Sequence, residues 1–102
     1  MISEELEEKE WWYLYILRCK DETLYTGITT DLERRFEEHQ SNGPRCAKYL
    51  RGRQPLTMIY HTEFKSKSLA LKAELKVKKL TASQKKLLAS GQLVINEIAE
   101  TH

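Results

Sequence analysis

Two tyrosine-bearing triplets, Tyr13-Leu14-Tyr15 and Tyr25-Thr26-Gly27, bracket a short charged stretch, Lys20-Asp21-Glu22-Thr23. Side chains alternate across a strand, so Tyr13 and Tyr15 share one face of theirs, and Tyr25 and Gly27 share one face of the next. Whether the two faces coincide depends on the turn. A three-residue loop at Lys20 to Glu22 sets Tyr15 opposite Gly27 with Tyr25 on the diagonal, whereas a two-residue loop sends the rings to opposite faces. Gly27 removes a side chain where another group or a ligand comes close to the backbone. Tyrosines are common in strands, and structural packing alone explains this feature as well.

Further along, Leu32, Arg35, Phe36 and His39 follow the i, i+3, i+4, i+7 spacing of one helical stripe, while Arg34 points elsewhere. A guanidinium and an imidazole one turn apart on an inward face suit a phosphate, because arginine binds two of its oxygens at once. The plainer alternative leaves Arg35 at the edge of the stripe and has His39 donating to a backbone carbonyl. Glu74 is the one acid among the eight lysines of residues 65–92. A carboxylate where a helix meets the sheet is what a hard divalent cation takes from a protein, with water and substrate phosphate filling the other positions. Otherwise Glu74 makes a surface pair with Lys78 at i+4, contributing about 0.3 to 0.5 kcal/mol.

The elements that must position these groups are legible from pattern. Trp12 to Cys19 is predicted as a strand and Leu24 to Thr29 as its hairpin partner. Thr30, with Glu33 three residues on, predicts the start of a helix reaching about Gln40, and Ser41-Asn42-Gly43-Pro44 ends it. Arg45 to Gln54 is a basic connector carrying Arg45, Lys48, Arg51 and Arg53 around Tyr49, and Leu56 to Phe64 is a third strand. A second helix starts near Ser66 or Ser68 and runs to about Lys79, with Leu69, Ala73, Val77 and Leu80 on its inner stripe and Lys72, Lys76 and Lys79 turned away. Thr81 with Gln84 caps a third, and Gly91 closes it. The expected fold is α+β, a three-stranded antiparallel sheet flanked by helices in the order β-β-α-β-α-α, with room for at most two packed layers. Residues 1–10 form an acidic extension, 11–91 the domain, and 92–102 a tail of undecided structure.

Charge narrows the partners. Residues 1–42 hold five Lys and Arg against eleven Asp and Glu, whereas residues 43–92 hold twelve against two. Such a polycationic block neutralises phosphates, so nucleic acid is the expected partner; a solvated lysine-rich face is the plainer reading. The longest uncharged aromatic run, Trp11 to Leu17, is far too short to span a bilayer, so no membrane partner is expected. The acidic start, from Glu4 to Glu10, is the opposite of a signal peptide, and the cytoplasm is the expected location. Cys19 and Cys46 suggest neither a zinc site nor a disulfide framework.

Taken as an ordered set, these residues resemble the GIY-YIG nuclease superfamily. The two triplets stand where its name-giving motifs stand; Arg35 follows Gly27 by eight residues and His39 follows Arg35 by four. Ala70-Leu71-Lys72-Ala73-Glu74 is similar to the metal-binding glutamate segment, and YTGITTDLERR and SLALKAE look closest to the small stand-alone bacterial members. The likeness runs from about Trp12 to Leu80. It departs at Tyr13, which replaces the first glycine, at Thr26, which replaces an isoleucine, and in an asparagine of many members for which Asn96 lies too far downstream. The resemblance implies a metal-dependent endonuclease acting on DNA in repair or recombination. Tyr15 or Tyr25 would deprotonate or orient the attacking water, Arg35 would offset charge on the phosphorane, His39 would assist proton transfer or position a phosphate oxygen, Gly27 would shape the site, and Glu74 would hold one Mg²⁺ or Mn²⁺ ion. Arg45, Lys48, Arg51, Arg53, Lys72 and Lys76 would follow the phosphate backbone. Two alternatives remain: a catalytically inactive nucleic-acid-binding module of the same fold, and an adaptor that meets a protein partner through Trp11, Trp12 and the acidic extension.

Overall fold

The computed structural model describes residues 10–95. The acidic extension expected over residues 1–10 lies outside the described residues except for Glu10, and so does the expected tail from residue 96 onward. Within them the chain forms β1 (Trp12–Arg18), β2 (Leu24–Thr29), α1 (Leu32–Gln40), a 3₁₀ turn (Lys48–Leu50), β3 (Thr57–Phe64), α2 (Lys67–Lys78) and α3 (Ala82–Ser90). The sheet is antiparallel in the spatial order β2-β1-β3, which realises the β-β-α-β-α-α chain order.

The hairpin that joins β1 to β2 decides which way the site residues face. Cys19 donates its N–H to the Thr23 carbonyl at 2.8 Å and Glu22 donates to the Cys19 carbonyl at 2.9 Å, closing a loop of Lys20, Asp21 and Glu22. Glu22 takes the left-handed conformation, φ 73°, as the third residue of such a loop must. The Asp21 carboxylate accepts from the Thr23 hydroxyl at 2.6 Å and from its N–H at 3.2 Å, fixing the tip. This is the odd-numbered alternative, and it pairs Tyr15 with Gly27 and Leu17 with Tyr25.

Three expectations are corrected. The first helix is capped by Asp31 rather than Thr30: its carboxylate accepts from the Arg34 N–H at 3.1 Å, while the Thr29 hydroxyl accepts from the Asp31 N–H at 3.1 Å. Both residues are good caps, and a carboxylate gains more from the helix dipole. Leu69 is not part of the inner stripe of α2 but is 47% exposed, because the buried positions are Ala70, Ala73 and Val77, whose small side chains let the helix approach the sheet. Layers also number three rather than two. Leu14 and Ile16 pack under Ala73, Val77 and Leu88 from α2 and α3, while Tyr15, Leu17 and Cys19 on the other sheet face pack under Cys46, Leu50 and Leu56, with Leu32 and Phe36 of α1. Each outer layer is only one or two short helices thick, which is how so short a chain covers both faces. The remaining caps agree with expectation: Ser66 starts α2, Thr81 and Gln84 form a reciprocal capping box on α3, and Gly91 ends it at φ 88°.

Candidate active site

Tyr15, Tyr25 and His39 converge on the α1 side of the sheet. Ring centroids lie 6.4 Å apart for the two tyrosines, 5.9 Å for Tyr15 and His39, and 5.6 Å for Tyr25 and His39, the last edge to face. Tyr15 can lean across the hairpin because its partner is a glycine: a methyl group at Gly27 would meet the Tyr15 hydroxyl at 2.5 Å and its ring carbon Cζ at 2.7 Å. The Tyr15 ring is itself walled in at 2% exposure and can shift only by disturbing its neighbours. Gly27→Ala is therefore expected to displace the ring and lower any turnover at this site by about 10²-fold while leaving the hairpin paired; a variant as active as the parent would show that the ring position is immaterial.

His39 is fully buried and its proton can be assigned. Its Nδ1 accepts the Ala47 N–H at 3.2 Å, so the neutral ring carries its hydrogen on Nε2, which donates to the Tyr15 hydroxyl oxygen at 2.9 Å. The Tyr15 proton is thereby left free to point elsewhere. Burial, and then the neighbouring Arg35 charge, hold the His39 pKa down to about 4. Its neutral form favours the fold; the contribution is complete above the ordinary value near ~6.5 and fades as pH falls toward 4, because the unfolded chain takes up the proton first. An NMR titration of the His39 ring should turn near pH 4, and a midpoint near 6.5 would mean that the ring is not sealed in this way.

The connector holds this ring in place, a role that its basic composition did not suggest. Besides Ala47, Cys46 donates its thiol to the His39 carbonyl at 3.3 Å, and the Gln54 amide donates to the same carbonyl at 2.8 Å. Gln40 accepts from the Leu56 N–H at 2.9 Å, binding the end of α1 to the start of β3. Both cysteines are buried free thiols, as their spacing implied.

Arg35 lies where the helical stripe put it, part-buried, donating to Glu38 at 2.8 Å and to the Arg45 carbonyl at 2.8 Å. Burial works against its charge, but Glu38 and the Tyr15 phenol outweigh that and raise its pKa. It opens on a cleft of about 550 Å³ that Trp12, Thr30, Arg34 and Arg45 also line. The Tyr15 phenol is pushed well above its ordinary range by burial and by Tyr25, with Arg35 pulling the other way; Tyr25 is raised by burial too, against Arg35 and Lys78. Glu74, half-buried on α2 beside the stripe, is close enough for its charge to raise both phenols. It also makes the anticipated pair with Lys78, at 3.3 Å.

Not every basic residue singled out by sequence joins this cluster. Lys48 and Arg51 are exposed on the connector and Arg45 rims the cleft. Arg53 is tied to the Asp21 carboxylate and to the Tyr49 carbonyl, so it braces the hairpin tip. Lys72 and Lys76 each stand two residues from Glu74, on the other side of α2, whereas Lys78 is the lysine beside it. Tyr49, 43% exposed, stacks on Tyr25 with centroids 6.0 Å apart; the sequence reading noted it only as the centre of the connector.

The family profile of the GIY-YIG catalytic domain matches residues 11–87. The chain belongs to the GIY-YIG family. That is a family of nucleases, and its fold is the one described above. Among curated relatives, the chain is 49% identical over 84 residues to a UPF0213 protein of Cronobacter sakazakii, covering 82% of this chain and 86% of that one. It is 51% identical over 81 residues to the UPF0213 protein YhbQ of Escherichia coli K12, covering 78% and 79%. Two solution NMR structures are similar: the UPF0213 protein BH0048 of Bacillus halodurans, with TM-score 0.52, 40% identity and coverage of 88% and 94%, and EF2693 of E. faecalis, with TM-score 0.58, 37% identity and coverage of 92% and 93%.

Glu74 is a carboxylate whose charge reaches both phenols. Among the described residues no group of three or more His, Cys, Asp or Glu forms a closed metal cage. A half-buried carboxylate whose charge reaches both phenols fits instead an open Mg²⁺ or Mn²⁺ site, in which water and substrate phosphate provide most of the donors. No helix among the described residues is long and apolar enough to cross a membrane.

Proposed function

We propose that this GIY-YIG domain is an endonuclease that hydrolyses phosphodiester bonds in DNA with one divalent cation held at Glu74, and that it serves repair or recombination in the cytoplasm. The observation that carries the reading is the Tyr15 oxygen, which sits in the space that Gly27 clears, takes the His39 Nε2–H and feels the Arg35 charge. The donated N–H and the neighbouring arginine charge both favour its anionic form. Burial opposes them, so Tyr15 is mostly a phenol and serves as a base in the fraction of molecules that has lost its phenolic proton to solvent, a fraction that grows with pH. Tyr15 orients the attacking water and takes its proton. Tyr25, less buried, holds the same water or a phosphate oxygen. The water oxygen bonds to phosphorus while the phosphorus–oxygen bond to the departing strand breaks, and Arg35 offsets the charge gathered on the equatorial oxygens. His39 acts through Tyr15, as a positioning residue. A Mg²⁺ or Mn²⁺ ion at Glu74, when bound, supplies Lewis-acid polarisation of the phosphate.

Arg45 and the exposed Lys48 and Arg51 lie next to the cleft or on the connector that borders it, where they favour backbone contacts without reading sequence. The test is a panel of single-stranded, duplex, flap and junction DNA substrates with and without Mg²⁺ or Mn²⁺. Cleavage that depends on the cation is expected. DNA binding with no cleavage of any member would select the inactive binding module instead.

A further inference from the structure

Tyr25 also walls a second concavity, of about 250 Å³, with Tyr49, Leu24, Thr26, Lys78 and Lys85. The Tyr25 and Tyr49 rings stack at an interplanar angle of 20° and form its aromatic side. Tyr49 is exposed yet fixed: the Arg53 guanidinium lies 4.3 Å from its centroid, and Arg53 is itself anchored to the Tyr49 carbonyl and to Asp21. A ring already immobilised loses little entropy on binding. The opposite side is cationic. Lys78 belongs partly to Glu74, but Lys85 makes no ion pair among the described residues, and burial, followed by the Lys78 charge, lowers its pKa. A half-buried cation without a carboxylate is a site for an incoming anion.

An aromatic face flanked by cations is the arrangement by which proteins hold an unpaired base and its phosphate. At 250 Å³ the space is smaller than the ~300 to 1,000 Å³ of sites for drug-sized ligands, which suits one flat ring system and not a base pair. Two stacking spacings of about 3.4 Å each exceed the 6.0 Å between the tyrosines, so a base rests against the pair and not between its members. We infer that this concavity receives one unpaired nucleobase of the substrate strand adjacent to the cut phosphate, held against the Tyr25–Tyr49 pair, with Lys78 and Lys85 on the neighbouring phosphate. This deepens the proposed reading and rests on it for the strand being DNA; it adds that the substrate must present an unstacked nucleotide beside the cut.

The experiment is binding of the full chain to single-stranded and gapped oligonucleotides in EDTA, where no cleavage intervenes, with an abasic site or 2-aminopurine moved one position at a time. In the parent protein one abasic position should weaken binding about tenfold or more and the others less than about twofold, with 2-aminopurine quenched at that same position. Tyr49→Ala should bind the intact strand correspondingly weaker and be indifferent to that abasic site, while Tyr49→Phe keeps the parent pattern and shows that packing of the connector is not at issue. Lys85→Ala should weaken every strand and lower the salt slope by about one. Equal abasic penalties at all positions, an undiminished penalty in Tyr49→Ala, or no DNA binding at all would overturn the inference. Cleavage without a position-specific base effect would sink it and spare the nuclease reading; a position-specific effect without cleavage would do the reverse.

Discussion

Glu74→Gln should lose at least about 10³-fold in cation-dependent cleavage while its affinity for DNA in EDTA stays level or rises. The substitution keeps size and helix propensity and removes only the charge. Loss of several kcal/mol of Lewis-acid stabilisation corresponds to that rate factor at about 1.4 kcal/mol per tenfold. The same change frees Lys78 from its 3.3 Å pair and takes a negative charge away from the phosphate path, which works in favour of binding. Since a single i,i+4 pair contributes only about 0.3 to 0.5 kcal/mol, the melting temperature should hardly move. Calorimetric titration with Mn²⁺ alongside the cleavage assay separates the possibilities. Cleavage within tenfold of the parent would reduce Glu74 to half of a surface ion pair.

Tyr15→Phe comes next in size, with an expected loss of about 10² to 10⁴-fold, the range for a lost general base. Its signature is in the pH profile. Because burial holds the Tyr15 phenol above its ordinary value near ~10, the parent rate should climb with pH through 7 to 9 without levelling off, and no inflection should appear near 6.5, since His39 stays neutral down to about 4. The residual rate of Tyr15→Phe should lose that steepness. A Tyr15→Phe variant within threefold of the parent, or one with an unchanged slope, would move the proton-accepting role away from this residue. Tyr25→Phe then becomes the deciding comparison.

How much of this could be read from the chain differs by element. Periodicity was sufficient for α1, because Leu32, Arg35, Phe36 and His39 sit on one stripe whatever packs against it, and the structure buries His39 completely. It was right for only part of α2: Ala73 and Val77 face the sheet as the stripe had them, but Leu69 is exposed, as are Leu71 and Leu75, and Ala70 is buried instead; approach distance, which no hydrophobicity pattern encodes, chose the contact face. Hairpin parity was open, since Lys20 to Thr23 can close in either way, and only the Cys19–Thr23 pairing decides it. The connector was read least fully. Its arginines advertised charge, while its work is done by the Ala47 N–H, the Cys46 thiol and the Gln54 amide, groups common enough to carry no signal until the fold sets them around His39. Tyr49 and Lys85 were invisible for the same reason: 36 residues part them, and they meet only in three dimensions.

The hairpin tip gives chain length itself a meaning. Surface loops ordinarily absorb insertions and deletions at small cost, yet here one residue more or fewer between Cys19 and Thr23 would turn Tyr25 and Gly27 to the α2 side of the sheet while Tyr15 stayed under α1. A solvent-facing bend is thus as intolerant of miscounting as the buried ring it aligns.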